Sequence, residues 1–168
     1  MAKYCIAAGG NYSATGTWSN VSSASAGGDG VPAASDDVVC DSGSGQLTID
    51  AASVGRSLDC NGYTNTLTHN AFTLTLGDAT AGAGNIALRL VAGMTYTKSS
   101  TTTSAITFIS TSATQQTITL GGKVLGNTTF NASSNGSWIF SDAFSCGAAT
   151  LTLTKGTLNT NGQTVTCG

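Results

Sequence analysis

Chemistry in this chain has to come from few side chains. Eight Asp and no Glu, six Lys and Arg together, one His and five Cys are spread over 168 residues. Asp29, Asp36, Asp37 and Asp41 crowd one stretch, and carboxylate oxygens of that kind suit Ca2+. Gly27-Gly28-Asp29-Gly30 has the texture of a calcium loop but occurs once. The competing use is turn capping, in which a short Asp side chain bonds nearby backbone, and it is the expected one. Adjacent residues on a strand face opposite sides, so Asp36 and Asp37 make a poor acid/base pair. His69 lies in Thr68-His69-Asn70-Ala71, which reads as a surface turn with no Asp-His-Ser order around it. The Gly-rich segments lack the Gly-Lys-Ser/Thr ending of a phosphate loop. The reading is therefore of no catalytic residue, no cofactor and no metal, with those four aspartates as weak calcium candidates.

The cysteines are Cys5, Cys40, Cys60, Cys146 and Cys167. An odd number without a CxxC pair indicates neither a zinc ribbon nor a full disulfide framework. Their spacing carries more. Cys40 to Cys60 is 20 residues and Cys146 to Cys167 is 21. In a coiled strand structure with about twenty residues per turn, each pair would stack at the inter-strand spacing of about 4.8 Å. The alternative is coincidence among small buried residues, since free Cys packs as a small hydrophobe.

Trp138, Phe140 and Phe144 cluster beside Asn135-Gly136. On an exposed strand face they would stack on sugars, whereas in a narrow core they fill volume, which is the expected role. Asn-x-Ser/Thr occurs at Asn11, Asn20, Asn127, Asn131 and Asn135, as 48 Ser and Thr residues make unsurprising.

These residues need elements to hold them. Thr (28), Gly (22), Ser (20) and Asn (11) fill almost half the chain, and only 8% of residues are charged. Thr suits strands, Gly and Asn suit turns, and the charged helix formers are nearly absent. Helical bundles, coiled coils and charged disordered tails are excluded. A net charge of −2 lacks the basic footprint of a nucleic-acid binder.

From Val38 onward the chain alternates apolar and polar residues in short runs, among them Leu47-Thr48-Ile49, Phe72-Thr73-Leu74-Thr75-Leu76 and Ile106-Thr107-Phe108. Period two is the mark of a half-buried strand. Gly77-Asp78, Asn61-Gly62, Gly121-Gly122, Asn135-Gly136 and Asn161-Gly162 punctuate the runs as tight turns. Leu74, Leu76, Leu88, Leu90, Ile118, Leu120, Leu151 and Leu153 are the expected interior. One phrase recurs, as Thr73-Leu74-Thr75-Leu76-Gly77, Thr117-Ile118-Thr119-Leu120-Gly121 and Leu151-Thr152-Leu153-Thr154. Its offsets suit pairs of turns of about 17–22 residues in a solenoid. The expected fold is all-β, a parallel β-solenoid, with a Thr-rich β-sandwich or jelly roll as the alternative. Residues 1–37 are read as an N-terminal Gly/Ser-rich cap or attachment segment closed by Trp18, and 38–168 as the solenoid.

The uncharged stretch between Lys98 and Lys123 is too rich in Ser, Thr and Gln to span a bilayer. The apolar run ending at Ala8 is too short for a signal peptide. An extracellular composition without an export signal fits a virus particle, whose proteins fold in the host cytoplasm and act outside after lysis. Extracellular or cell-surface placement is the alternative.

Trp18-Ser19-Asn20, the Gly/Ser/Ala stretch through Gly30, and Val31-Pro32-Ala33-Ala34-Ser35-Asp36-Asp37-Val38-Val39-Cys40-Asp41 together resemble an N-terminal signature of repetitive β-helical bacteriophage virion appendages and bacterial surface proteins. The resemblance covers about the first 60 residues by motif and the rest by texture. It implies a non-enzymatic structural protein, a capsid-decoration, head-fibre or tail-fibre component. A glycan-binding or polysaccharide-processing β-helix is the alternative, with host surface glycan as partner. An enzyme of that kind needs carboxylates clustered on one face, which eight acids make improbable.

The strand-like run Thr164-Val165-Thr166-Cys167 has no Pro and no charge after Lys155. An open strand edge invites pairing. It is read as an assembly edge, covered in a homo-oligomer, with a trimer expected from the resemblance to virus fibres; the alternatives are another virion protein docked there, or a longer product of which this chain is the ordered head.

Overall fold

The computed structural model describes residues 1–168. Short period-two runs make short strands, nineteen in all. They are β1 (Ala2–Cys5), β2 (Gly10–Asn11), β3 (Trp18–Ser19), β4 (Asp37–Val39), β5 (Leu47–Ile49), β6 (Ser53–Gly55), β7 (Ser57–Asp59), β8 (Thr66–His69), β9 (Thr73–Leu76) and β10 (Ile86–Arg89). There follow β11 (Thr95–Lys98), β12 (Ala105–Phe108), β13 (Gln116–Thr119), β14 (Thr128–Asn131), β15 (Ser137–Phe140), β16 (Phe144–Ser145), β17 (Leu151–Lys155), β18 (Thr157–Asn159) and β19 (Val165–Thr166). The helical content is two single 3-10 turns, Thr15–Thr17 and Ala83–Asn85. No helix is long and apolar enough to cross a membrane.

The first sheet has the order β18-β15-β13-β10-β7-β4-β1-β3, the second β11-β8-β5-β2, and the third β17-β14-β12-β9-β6, while β16 pairs with β19. Every pairing is parallel except β1 with β3. Parallel neighbours cannot be joined by a hairpin, so the chain must leave and return. Here it returns by way of the other sheets. β4, β5 and β6 lie on the first, second and third in turn, and β7, β8, β9 and then β10, β11, β12 repeat that order. Sandwiches and jelly rolls are built from antiparallel ladders, and this pairing is of the other kind.

Register fixes the packing. Val38, Leu58, Leu88, Ile118 and Phe140 stand side by side across the first sheet, one from each successive pass. All five are buried, so one apolar position per pass builds a continuous interior row. On the third sheet Leu76, Phe108, Phe130 and Leu153 form the matching row. Phe108 stacks on Phe130 with ring centroids 4.8 Å apart, and Trp138 leans against Phe130 at 5.0 Å. Polar residues alternate outward: Thr75, Thr107, Thr129 and Thr152 make a ladder on the outer face of the third sheet.

Turn chemistry follows the sequence at Gly121-Gly122, with φ of 56° and 77°, and at Asn161-Gly162, with φ of 53° and 70°. Gly136 is different, because its φ is not positive. A Cβ there would fall 2.1 Å from the Ser110 carbonyl oxygen and 3.0 Å from the Trp138 ring, so this glycine serves close packing.

Three expectations change. The segment 1–37 is not separate from the sheets: β1 and β2 extend the first and second, and a boundary at residue 37 cuts β4. Within 12–36, β3 is the end strand of the first sheet, and there Trp18 is fully buried, meets Tyr12 edge-on at 4.9 Å and donates its Nε1–H to the Tyr12 carbonyl at 2.8 Å. Six of the eight expected interior residues are buried, but Leu151 is half-buried and Leu153 is 50% exposed. They sit on β17, an edge strand of its sheet that pairs with β14 alone. The recurring phrase is not a structural repeat either, since Thr73–Leu76 and Leu151–Lys155 lie on the third sheet and Gln116–Thr119 on the first.

Candidate functional site

Carboxylates are where hydrolytic or metal chemistry would begin, and all eight are bound to backbone. Asp29 accepts from Asn20 N–H at 2.7 Å, Asp36 from Ala33 at 3.0 Å, Asp41 from Gly43 at 2.9 Å and Asp50 from Ser13 at 3.0 Å. Asp59 accepts from Asn61 at 3.0 Å, Asp78 from Ala79 at 2.7 Å and Asp37 from Ala83 at 3.3 Å. Asp142 uses both oxygens, accepting from Leu120 at 2.9 Å and Gly121 at 2.7 Å one pass earlier. A hydrogen bond to an ionised group stabilises by about 1.5–3 kcal/mol, twice a neutral one. At Asp36, Asp41, Asp59 and Asp78 the partner lies within three residues, where the short Asp side chain suits turn capping, while Asp29, Asp37, Asp50 and Asp142 reach backbone farther along the chain.

The four calcium candidates are not brought together. Asp36 also pairs with the N-terminal ammonium at 3.3 Å, while Asp37 binds the Arg56 guanidinium and accepts from Ser57 Oγ at 2.6 Å. Asp41 faces Ser44, and the Asp29 carbonyl accepts from Lys3 Nζ. No three carboxylate, His or Cys side chains converge to hold a metal ion. Turn capping and ion pairing are what these residues do. At Asp37 burial opposes ionisation, but Arg56, Ser57 and the Ala83 N–H outweigh it and hold the carboxyl below its usual range.

Cations likewise tie passes together. Arg89 lies beside Asp59 in register and binds both its oxygens at 2.6 Å. Lys98 Nζ donates to the Val124 carbonyl and Lys123 Nζ to the Ala92 carbonyl, both at 3.0 Å.

His69 is not on a surface turn. It ends β8 and is fully buried. Its Nε2 lies 2.9 Å from the Phe72 carbonyl and its Nδ1 2.9 Å from the Tyr96 hydroxyl. A carbonyl only accepts, so Nε2 carries the proton and Nδ1 accepts from Tyr96. Burial lowers the pKa of the ring below the ordinary imidazole value and so favours this neutral tautomer. The aromatic residues Trp138, Phe140 and Phe144 are all interior, with Phe140 and Phe144 stacked at 4.5 Å.

The thiols line up as the spacing implied, with one member more. Val39 pairs with Asp59, and Cys40 N–H donates to the Asp59 carbonyl, which sets Cys40 beside Cys60. Tyr4 pairs with Val39, which sets Cys5 beside Cys40. The neighbouring Cys40 thiol, together with burial, pushes the Cys5 thiol up. At Cys40 the contact with Cys5 favours the thiolate, but contact with Cys60 and burial outweigh it and raise the pKa. Leu90 and Leu120 continue the row on the next passes. Cys146 and Cys167 stand side by side at the other end, Cys146 buried and Cys167 exposed. All five are free. Sequence reasoning missed Cys5 because the excursion through 12–36 stretches its separation from Cys40 to 35 residues.

Thr164, Val165, Thr166 and Cys167 are all exposed, and β17, β18 and β19 are each the last strand of their sheets. The surface carries no concave pocket. No protein family, curated protein or solved structure matches this chain.

Proposed function

We propose that the chain is a non-enzymatic structural module, a β-solenoid that serves as a capsid-decoration or fibre component of a bacteriophage virion. The observation that carries this reading is that all eight carboxylates accept from backbone N–H groups. An active site keeps acids free to move protons; this chain commits its acids to turns and to bonds between passes. Three sheets visited in rotation, with interior rows in register, support the solenoid. In it each pass contacts mainly its neighbours, and stability accumulates pass by pass.

The module works by assembly. The last strands at 151–168 offer backbone edges on three sheets and the exposed Leu153 and Val165. Another copy covers them in a homo-oligomer, a trimer by the resemblance to virus fibres, within a particle put together in the host cytoplasm.

Mass spectrometry of purified phage particles encoding this chain tests the function. The expected result is the chain at fixed stoichiometry to the major capsid or tail protein. Absence from particles, or depolymerisation of a host capsule polysaccharide by the isolated chain, would overturn the reading in favour of a glycan-directed β-helix.

A further inference from the structure

We propose that Cys146 and Cys167 are a modification site, a cross-strand pair that oxidises to a disulfide while Cys5, Cys40 and Cys60 stay thiols. The argument is register and access. Phe144 pairs with Val165 and Ser145 with Thr166, and Cys146 N–H donates to the Thr166 carbonyl at 3.0 Å, so the next residues face each other across adjacent parallel strands. Cys146 Sγ also reaches the Thr166 carbonyl at 3.7 Å, on the residue just before Cys167. Strands in a sheet lie about 4.8 Å apart, inside the Cα range of about 4.4–6.8 Å that a disulfide tolerates.

Access separates Cys167 from the other four. Cys167 is exposed, whereas Cys146, Cys5, Cys40 and Cys60 are each 0% exposed, so only the pair that contains Cys167 presents a thiol to an oxidant. β19 pairs with one strand, β16, so no second ladder holds it against the fraction of an ångström that bond formation asks. Cys40 has no such freedom between Cys5 and Cys60. Burial and the contact with Cys167 push the Cys146 thiol up to about 12, so Cys167 attacks first and Cys146 resolves.

With oxidised glutathione as oxidant the step balances. The Cys167 thiolate attacks one glutathione sulfur and expels one glutathione thiolate. Cys146 then loses its proton to solvent, attacks Cys167 Sγ and expels the second. Two protein thiols are oxidised by two electrons, and one glutathione disulfide becomes two thiols. The second step accelerates with pH, about tenfold per unit while the thiolate remains the minor form.

The test uses the full folded chain and its Leu153→Asp variant, each incubated with oxidised glutathione, alkylated under denaturing conditions and digested with trypsin. Cleavage after Lys123 and Lys155 places Cys146 on peptide 124–155 and Cys167 on 156–168. The expected product in either chain is those two peptides joined, lighter by two hydrogens, with Cys5, Cys40 and Cys60 alkylated and the melting temperature raised. Alkylated Cys146 in both chains, or a Cys167 disulfide between two molecules, would overturn the proposal. The variant distinguishes failed geometry from a pair hidden under a second copy, so this test and that of the structural role fail independently.

Discussion

Arg89 stands directly beside Asp59, 30 residues back along the chain and one strand away, and its Nε and Nη2 each bind one carboxylate oxygen at 2.6 Å. The pair faces out from the first sheet, with Arg89 and Asp59 side chains 32% and 21% exposed. It fastens two passes that share no local sequence. Exposed ion pairs contribute about 0–1 kcal/mol, and this one belongs at the top of that range because a two-pronged contact needs no third partner to fix it.

Arg89→Ala should therefore lower unfolding stability by about 1 kcal/mol. Arg89→Lys should recover only part, because an ammonium cannot bond both oxygens at once. A double-mutant cycle with Asp59→Ala measures the coupling in denaturant melts, and zero coupling would mean that this pair does not help hold the two passes together.

Two leucines with the same chemistry should behave oppositely. Leu120 is 0% exposed in the row that begins at Cys5, whereas Leu153 is 50% exposed at the end of the third sheet. Leu120→Asp buries an unpaired charge and should abolish cooperative folding, a cost of several kcal/mol. Leu153→Asp should leave the far-ultraviolet dichroism and melting of the isolated chain within about 0.5 kcal/mol, the usual range for surface substitutions, and weaken only self-association. Circular dichroism and sedimentation of both variants check the contrast.

The aromatic rows invite a third test. Phe130 touches Phe108, Trp138 and Phe140, at 4.8, 5.0 and 6.2 Å between ring centroids. Phe130→Ala should cost about 3–5 kcal/mol, read from the denaturation midpoint. A loss below 1 kcal/mol would show that the neighbouring rings collapse into the space.

Acid should weaken the fold in two stages. The folded chain holds His69 neutral by burial, below the ordinary value of about 6.5. As pH falls through about 6.5 the unfolded chain takes a proton that the folded chain refuses, so stability is full above that pH and declines until the folded pKa is reached. Asp37 and Asp50 are also depressed; their contribution is full above about 3.9 and lost as pH falls through their folded values. His69→Gln should remove the first stage and leave the second, as urea midpoints between pH 8 and pH 3 would reveal.

Strand character was legible because every face shares one rule, apolar in and Thr or another small polar residue out. That same uniformity hid the topology. The phrase at Thr73 and the phrase at Thr117 look alike yet occupy different sheets, since alternation marks inside from outside and not one face from another. Spacing succeeded where loops are short, as at Cys40 and Cys60, and failed at Cys5, where an excursion intervenes. His69 was misread because its neighbours Thr68, Asn70 and Ala71 look like a turn, while the Tyr96 hydroxyl that satisfies it comes from the next pass, 27 residues on. Asp142 gave no local sign of bonding Leu120 and Gly121, for the same reason.

Hydrogen exchange on the purified chain, read alongside its sedimentation at micromolar concentration, tests the structural account most directly. The account predicts an oligomer whose amides in Leu151–Lys155, Thr157–Asn159 and Val165–Thr166 become protected as concentration rises, with Leu153→Asp abolishing both changes. A monomer at every concentration, with those three strands ordered yet exchanging freely, would contradict it.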